Sequence, residues 1–198
     1  MAQRMTGVDN RRTDTRDRIV AVALRLFSDQ GYAATSLREI ADELGVTKAA
    51  LYFHFKTKED ILAAILRGRL DAINAVVDAV TADLTTLGGR EELLRRFADS
   101  PATRNLEMMR FMREASAEIR SLPMEAEIHE TRTRLLDALA GPEPTLLDRT
   151  RARTALMALQ SVALLDSTDD STEDDLRAAA LVVALEIIRG GRPAEANH

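Results

Sequence analysis

The sequence predicts an all-α protein of about nine helices. Three observations carry this: apolar residues recur with helical period along most of the 198 residues, no segment alternates with period two, and capping and stop residues separate the periodic stretches. The length suits a small domain fused to a larger one, and 45% hydrophobic with 30% charged residues is enough to bury a real core.

Each element can be justified in order. From Thr15 to Gln30, the residues Ile19, Val20, Ala23, Leu24, Leu26 and Phe27 form one stripe, stopped by Gly31. Ser36-Leu37-Arg38-Glu39 has the form of a capping box, and Leu37, Ile40, Ala41 and Leu44 follow at i, i+3, i+4, i+7. Gly45 offers positive φ, Val46 a turn side chain for burial, and Thr47 an N-cap for a third helix from about Lys48 to Phe53 that turns Ala50 and Leu51 inward. Thr57 caps a long fourth helix through Ile61, Leu62, Ile65, Leu66, Leu70, Ile73 and Val77, which links two domains. Further helices are expected near 90–99, 103–120, 124–140, 146–165 and 172–189, divided by Pro101, Pro123, the Gly141 to Pro144 segment and an acidic loop from Asp166 to Ser171. The expected organisation is a flexible basic arm (1–14), a small domain (15–60), a larger domain (61–190) and a frayed tail (191–198).

Composition narrows the function. No cysteine is present, which removes disulfides, thiolate catalysis and thiolate metal sites. The polar N-terminus lacks the apolar core of a signal peptide, and the most apolar run, Ala178 to Ile188, is too short to cross a bilayer, so a cytoplasmic protein is expected. The net charge of −5 hides a split: residues 1–58 hold ten Lys/Arg against seven Asp/Glu, the remainder seventeen against 25. The anion-binding end is the front. Three histidines in no ligand spacing, no nucleophile motif and no phosphate-cradling loop argue against an enzyme; no cofactor and no metal site is expected.

Two short capped helices at a glycine turn describe a helix-turn-helix, whose second helix enters the major groove. Thr47, Lys48 and Ala49 then face base edges: the Lys48 ammonium suits guanine, and Ala49 suits a thymine methyl or close backbone approach. Tyr52, His54, Lys58, Thr35 and Ser36 sit where hydroxyls, a ring N–H and an ammonium suit phosphate oxygens. Phe55 reads as core. Arg11, Arg12 and Arg16 read equally as a minor-groove arm or a solvated basic tail.

The run GYAATSLREIADELGVTKAALYFHFKTKED, from Gly31 to Asp60, resembles the DNA-binding motif of the TetR family of bacterial regulators, matching it without a gap at Gly31, Tyr32, Thr35, Ile40, Ala41, Leu44, Gly45, Val46, Thr47, Leu51, Tyr52, His54, Phe55, Lys58 and Glu59. The resemblance implies that residues 15–60 form a DNA-binding domain and residues 61–190 a ligand-binding and dimerisation domain, in a homodimer that grips a palindromic operator in double-stranded DNA and responds to a small-molecule effector; repressor rather than activator follows from family habit. The alternative is a regulator without an effector. ALYFHF further resembles γ-butyrolactone autoregulator receptors, but this chain has no tryptophan, the residue that resemblance would place in the pocket.

Two candidate sites follow in the larger domain. Phe97, Met108, Met109, Phe111, Met112 and His129 are expected around a largely apolar effector pocket, because Met adapts to irregular ligands, with Arg110, Arg113 and Glu114 as further anchors. The last two helices are apolar nearly all round, so Leu156, Leu159, Val162, Leu181, Ala184, Leu185 and Ile188 are expected in a four-helix dimer interface.

Overall fold

The computed structural model describes residues 6–164 and 172–190; the acidic loop from Asp166 to Ser171 and the tail after residue 190 lie outside the described residues. Eleven α-helices are present among the described residues: α1 Thr6–Gln30, α2 Leu37–Leu44, α3 Lys48–His54, α4 Lys58–Ala79, α5 Leu87–Ala98, α6 Pro101–Arg104, α7 Leu106–Glu114, α8 Ser116–Ser121, α9 Glu125–Ala140, α10 Leu146–Gln160 and α11 Glu173–Arg189, with a 3-10 turn Ser161–Leu164 after α10. None is long and apolar enough to cross a membrane.

The count exceeds nine because the helix expected at 103–120 is three helices. Asn105 takes extended backbone, and its Oδ1 accepts from the Met108 amide at 2.9 Å, so it ends α6 and caps α7. Ala115 leaves helical ψ between α7 and α8. The first helix also begins earlier than Thr15, at Thr6.

The chain divides into two compact units, residues 1–68 with 110–124 and residues 69–109 with 125–198, so α4 contributes to both. In the first, Ile19, Ala23 and Phe27 of α1, Ile40 and Ala41 of α2, Leu51 of α3 and Ile61, Leu62 and Ile65 of α4 are fully or almost fully buried. Phe27 meets the Tyr32 ring edge-on at 5.0 Å and stacks on Phe111 at 5.6 Å. Phe111 therefore belongs to this core, which corrects its expected place in an effector pocket: the aromatic partner it packs on lies 84 residues earlier, beyond the reach of periodicity.

The second unit is built on Leu93, Leu94 and Phe97 of α5, Leu135 and Leu139 of α9, Ala152, Ala155, Leu156 and Leu159 of α10, and Ala180, Ala184 and Leu185 of α11. The Glu91 carboxylate ties α5 to α11, accepting from Arg189 Nε at 2.8 Å and Arg95 Nη2 at 2.7 Å, and these bonds, Arg189 first, hold it below the usual carboxylate range.

Two sets of expected residues need correction here. Leu156, Leu159, Val162, Ala184 and Leu185 are buried within the monomer, and Leu181 and Ile188 pack against the same core. The outward sides of α10 and α11 instead present Met157, Val182 (56% exposed) and Val183 (47%). A helix apolar on most sides does not reveal which side faces its own core. His129 is exposed beside Arg132 and Thr133, and Arg110, Arg113 and Glu114 are exposed as well. Phe97 and Met109 are buried, and Met108 and Met112 half-buried. Two cavities of this unit, a small one of about 20 Å³ beside Thr103 and Arg177 and a shallow one of about 540 Å³ beside Asp83 and Asp137, are lined by none of the expected pocket residues.

Candidate nucleic-acid interface

Local chemistry builds the α2–α3 corner. Ser36 Oγ accepts from the Glu39 amide at 3.2 Å while Glu39 Oε2 accepts from the Ser36 amide at 2.7 Å, the reciprocal box that the sequence predicts. Hydrogen bonding from the Ser36 hydroxyl and amide holds the exposed Glu39 carboxyl below its ordinary 4.5. Gly45 ends α2 at φ +68°, with its own amide on Asp42 O at 3.1 Å and the Val46 amide on Ala41 O at 3.0 Å, a Schellman closure that only a residue without Cβ adopts cheaply. Val46 is half-buried, and Thr47 caps α3 by accepting from the Ala50 amide at 3.2 Å. α1 and α2 are further joined at the surface by an Arg25–Glu43 ion pair.

α3 buries a single residue, Leu51, and Phe55 follows it into the core one turn later. The opposite side is therefore outward. Lys48 and Ala49 are exposed as expected, with the Lys48 ammonium 5.5 Å from the Tyr52 ring. Tyr52 and His54 are half-buried, and Ser36 and Thr47 are exposed. Ala50 was expected inward but is exposed: 100° from Leu51, it lies at the edge of a helix too short to bury two adjacent positions. Phe53 is 60% exposed, its ring 5.3 Å from that of His54. The sequence reading missed Phe53, although its place two residues from each of Leu51 and Phe55 puts it on the far side of the same helix.

Thr35 and Lys58 are corrections of a different kind. The Thr35 side chain is turned inward, 2% exposed, and its hydroxyl bonds to Gly31 O at 2.9 Å, Leu26 O at 3.3 Å and Gln30 Nε2 at 3.1 Å. The Lys58 ammonium donates to Tyr32 O at 2.6 Å, Thr35 O at 3.0 Å and Ala33 O at 3.4 Å, and lies 4.3 Å from the Tyr32 ring centroid. An ammonium has three protons, and three carbonyls take them. Lys58 thus fastens the turn before α2 to the start of α4 rather than reaching out to phosphate. Tyr32 completes this staple by donating its hydroxyl to Glu59 at 3.2 Å; burial, then the Glu59 charge, push its phenol well above the usual range. Arg16 lies over the Phe55 ring at 5.0 Å, while the side chains of Arg11 and Arg12 fall outside the described ones.

A short helix held at both ends by caps, turned about a three-residue corner from its predecessor and presenting Lys48, Ala49 and Phe53, defines a helix-turn-helix DNA-binding module. Residues 19–65 match the family described as bacterial regulatory proteins, tetR family. Residues 19–65 thus match the DNA-binding domain of that family, and the chain shares the fold of solved TetR-family regulators. A 52-residue segment is 56% identical to the HTH-type transcriptional regulator AcrR of Shigella flexneri, covering 26% of this chain and 24% of that protein. Such matches span less than half the length of the curated relatives. The likeness of fold runs further: the TetR-family regulator PfmR of Thermus thermophilus superposes with a TM-score of 0.66 at 26% identity, over 89% of this chain and 100% of that one. AibR, solved in complex with isovaleryl coenzyme A and operator DNA, shares the fold at TM-score 0.62 and 21% identity, over 85% and 96%. AcrR and PfmR are described as transcriptional regulators.

Proposed function

We propose that this protein is a transcription regulator that binds a palindromic DNA operator as a homodimer and is released from it by a small-molecule effector. The observation that carries the reading is the outward side of α3. Lys48 can donate to guanine O6 or N7, and Ala49 and Phe53 offer apolar contact for thymine methyls. Tyr52, His54 and the Ser36 hydroxyl border that side and suit phosphate oxygens, fixing register.

The uncharged stripe Ala178, Ala179, Val182 and Val183 on α11, with Met157 on α10, supports the dimer: apolar side chains half in water on two helices of one core are best covered by the same helices of a second copy. Two-fold symmetry then sets the recognition helices about 34–36 Å apart and makes the operator palindromic. Effector control is a linkage statement. A ligand that favours a conformer with the wrong helix spacing weakens DNA binding by the same coupling free energy, and α4, shared by both units, is the element through which it acts. The effector-bound and DNA-bound AibR supports both halves of the reading. The test is enrichment of bound duplexes from a random pool at fixed salt. A palindromic consensus with half-sites one helical turn apart is expected; no enrichment, or a consensus without symmetry, would refute it.

A further inference from the structure

With the Lys58 ammonium spent on three carbonyls, the phosphate charge of a duplex must be met by other cations of the first unit. Arg25 lies in ion pairs with Asp29 and Glu43, and Arg38 in one with Asp42. Lys56 and Arg16 are held differently, by neutral groups at the C-terminal end of α3. The Lys56 ammonium donates to the Tyr52 carbonyl at 2.7 Å, and the Arg16 guanidinium lies over the Phe55 ring, 5.0 Å from its centroid. Both side chains are exposed.

Local chemistry fixes where these two charges stand. Phe55 takes extended backbone (φ −138°, ψ 126°) and is buried; successive side chains of extended backbone point opposite ways, so Lys56 is turned outward. Asp60 pins the turn: its Oδ2 accepts from the Lys56 amide at 3.0 Å and the Thr57 amide at 2.9 Å, and Thr57 Oγ1 accepts from the Asp60 amide at 3.1 Å. The bond to Tyr52 takes one of the three ammonium protons of Lys56. A guanidinium over a ring engages it through its face and not through its N–H edge. A neutral holder therefore directs each cation without cancelling its charge, which is what neutralising a phosphate and releasing its counterion requires. Lys48 opens α3, and Lys56 and Arg16 border its other end, beside Tyr52 and Phe55.

We propose that Lys56 and Arg16 are backbone-phosphate contacts at the C-terminal end of α3, each neutralising one phosphate of the operator duplex. This rests on the reading of the outward side of α3 as the side that faces DNA. A contact to phosphate alone adds affinity without sequence preference. The test is the salt dependence of DNA binding by the full-length protein, followed by fluorescence anisotropy on two duplexes: the one wild type enriches from a random pool, and a scrambled duplex of the same length and composition. Wild type is compared with Lys56→Gln and Arg16→Gln and with the charge-conserving Lys56→Arg and Arg16→Lys, with thermal unfolding of each as the check on folding. Each neutral variant is expected to reduce the slope of log K against log salt by about 0.9 on both duplexes, and the two together by about 1.8. The charge-conserving variants are expected to keep the wild-type slope. An unchanged slope in either neutral variant would overturn the proposal for that residue. So would a charge-conserving variant that loses as much slope as the neutral one, the mark of a structural role. Wild type that binds DNA while the variant slopes stay unchanged would overturn the phosphate contacts alone; wild type that binds no DNA would overturn the reading beneath them as well.

Discussion

The outward sides of α3 and α11 make an instructive pair. Both helices bury one side in their own unit, yet α3 presents a lysine, an alanine and a phenylalanine to water while α11 presents Ala178, Ala179, Val182 and Val183. α3 is seven residues long with one buried side chain, held by the Thr47 cap and the Schellman turn. α11 is seventeen residues long and anchored by Ala180, Ala184 and Leu185. Caps can hold a short helix whose exposed side is thereby free to carry donors for a changing partner. A long helix held by packing can leave an apolar outer side for a permanent one.

The contrast breaks most visibly in the cores beneath. Phe27→Ala removes a fully buried ring with two aromatic partners and is expected to cost about 3–5 kcal/mol, read as loss of the cooperative transition of the DNA-binding unit in thermal denaturation. Next in size is the outer side of α11. A Val182→Glu, Val183→Glu double variant should raise the dimer dissociation constant at least about 100-fold, a loss of roughly 2.7 kcal/mol, while unfolding as a helical monomer; sedimentation equilibrium checks it. Leu185→Ala, on the inward side of the same helix, should instead lower the unfolding temperature, at about 2–5 kcal/mol.

The Lys58 staple sharpens the comparison further. Lys58→Met leaves three carbonyls without their donor and is expected to cost about 1–3 kcal/mol of stability, yet to leave the salt slope of DNA binding unchanged, because its charge is spent inside the protein. A slope reduced by about one would return Lys58 to the phosphate. The smallest effect is the Glu39 cap. Its carboxyl lies below 4.5 in the folded chain, so it contributes stability that is present above 4.5 and lost as pH falls through the folded value. Glu39→Ala should flatten the pH dependence of unfolding below about pH 5, measured by circular dichroism melts.

How much of this was legible in the sequence follows from the range of each interaction. The Ser36 box, the Gly45 turn and the Thr47 cap join residues no more than five apart, and each stands where the residue types imply. The staple was illegible because Lys58 meets carbonyls 23 to 26 residues earlier, and Thr35 faces inward for a bond to Leu26 that no motif announces. Phe53 was within reach, since helical spacing from Leu51 and Phe55 points it outward. The α10–α11 face was not: the residues chosen for a partner copy are the ones the monomer keeps for itself. Asn105 was read as helix interior because periodicity continues across it, although its side chain caps the next helix.

The claim that the outward side of α3 reads DNA is tested most directly by titrating the selected operator with wild type and with a Lys48→Ala, Tyr52→Ala double variant at one salt concentration. The account predicts at least about a 100-fold loss of operator affinity in the variant with its unfolding temperature within a few degrees of wild type, from two substitutions each worth about 1–3 kcal/mol. A variant that binds the operator within twofold of wild type would contradict it.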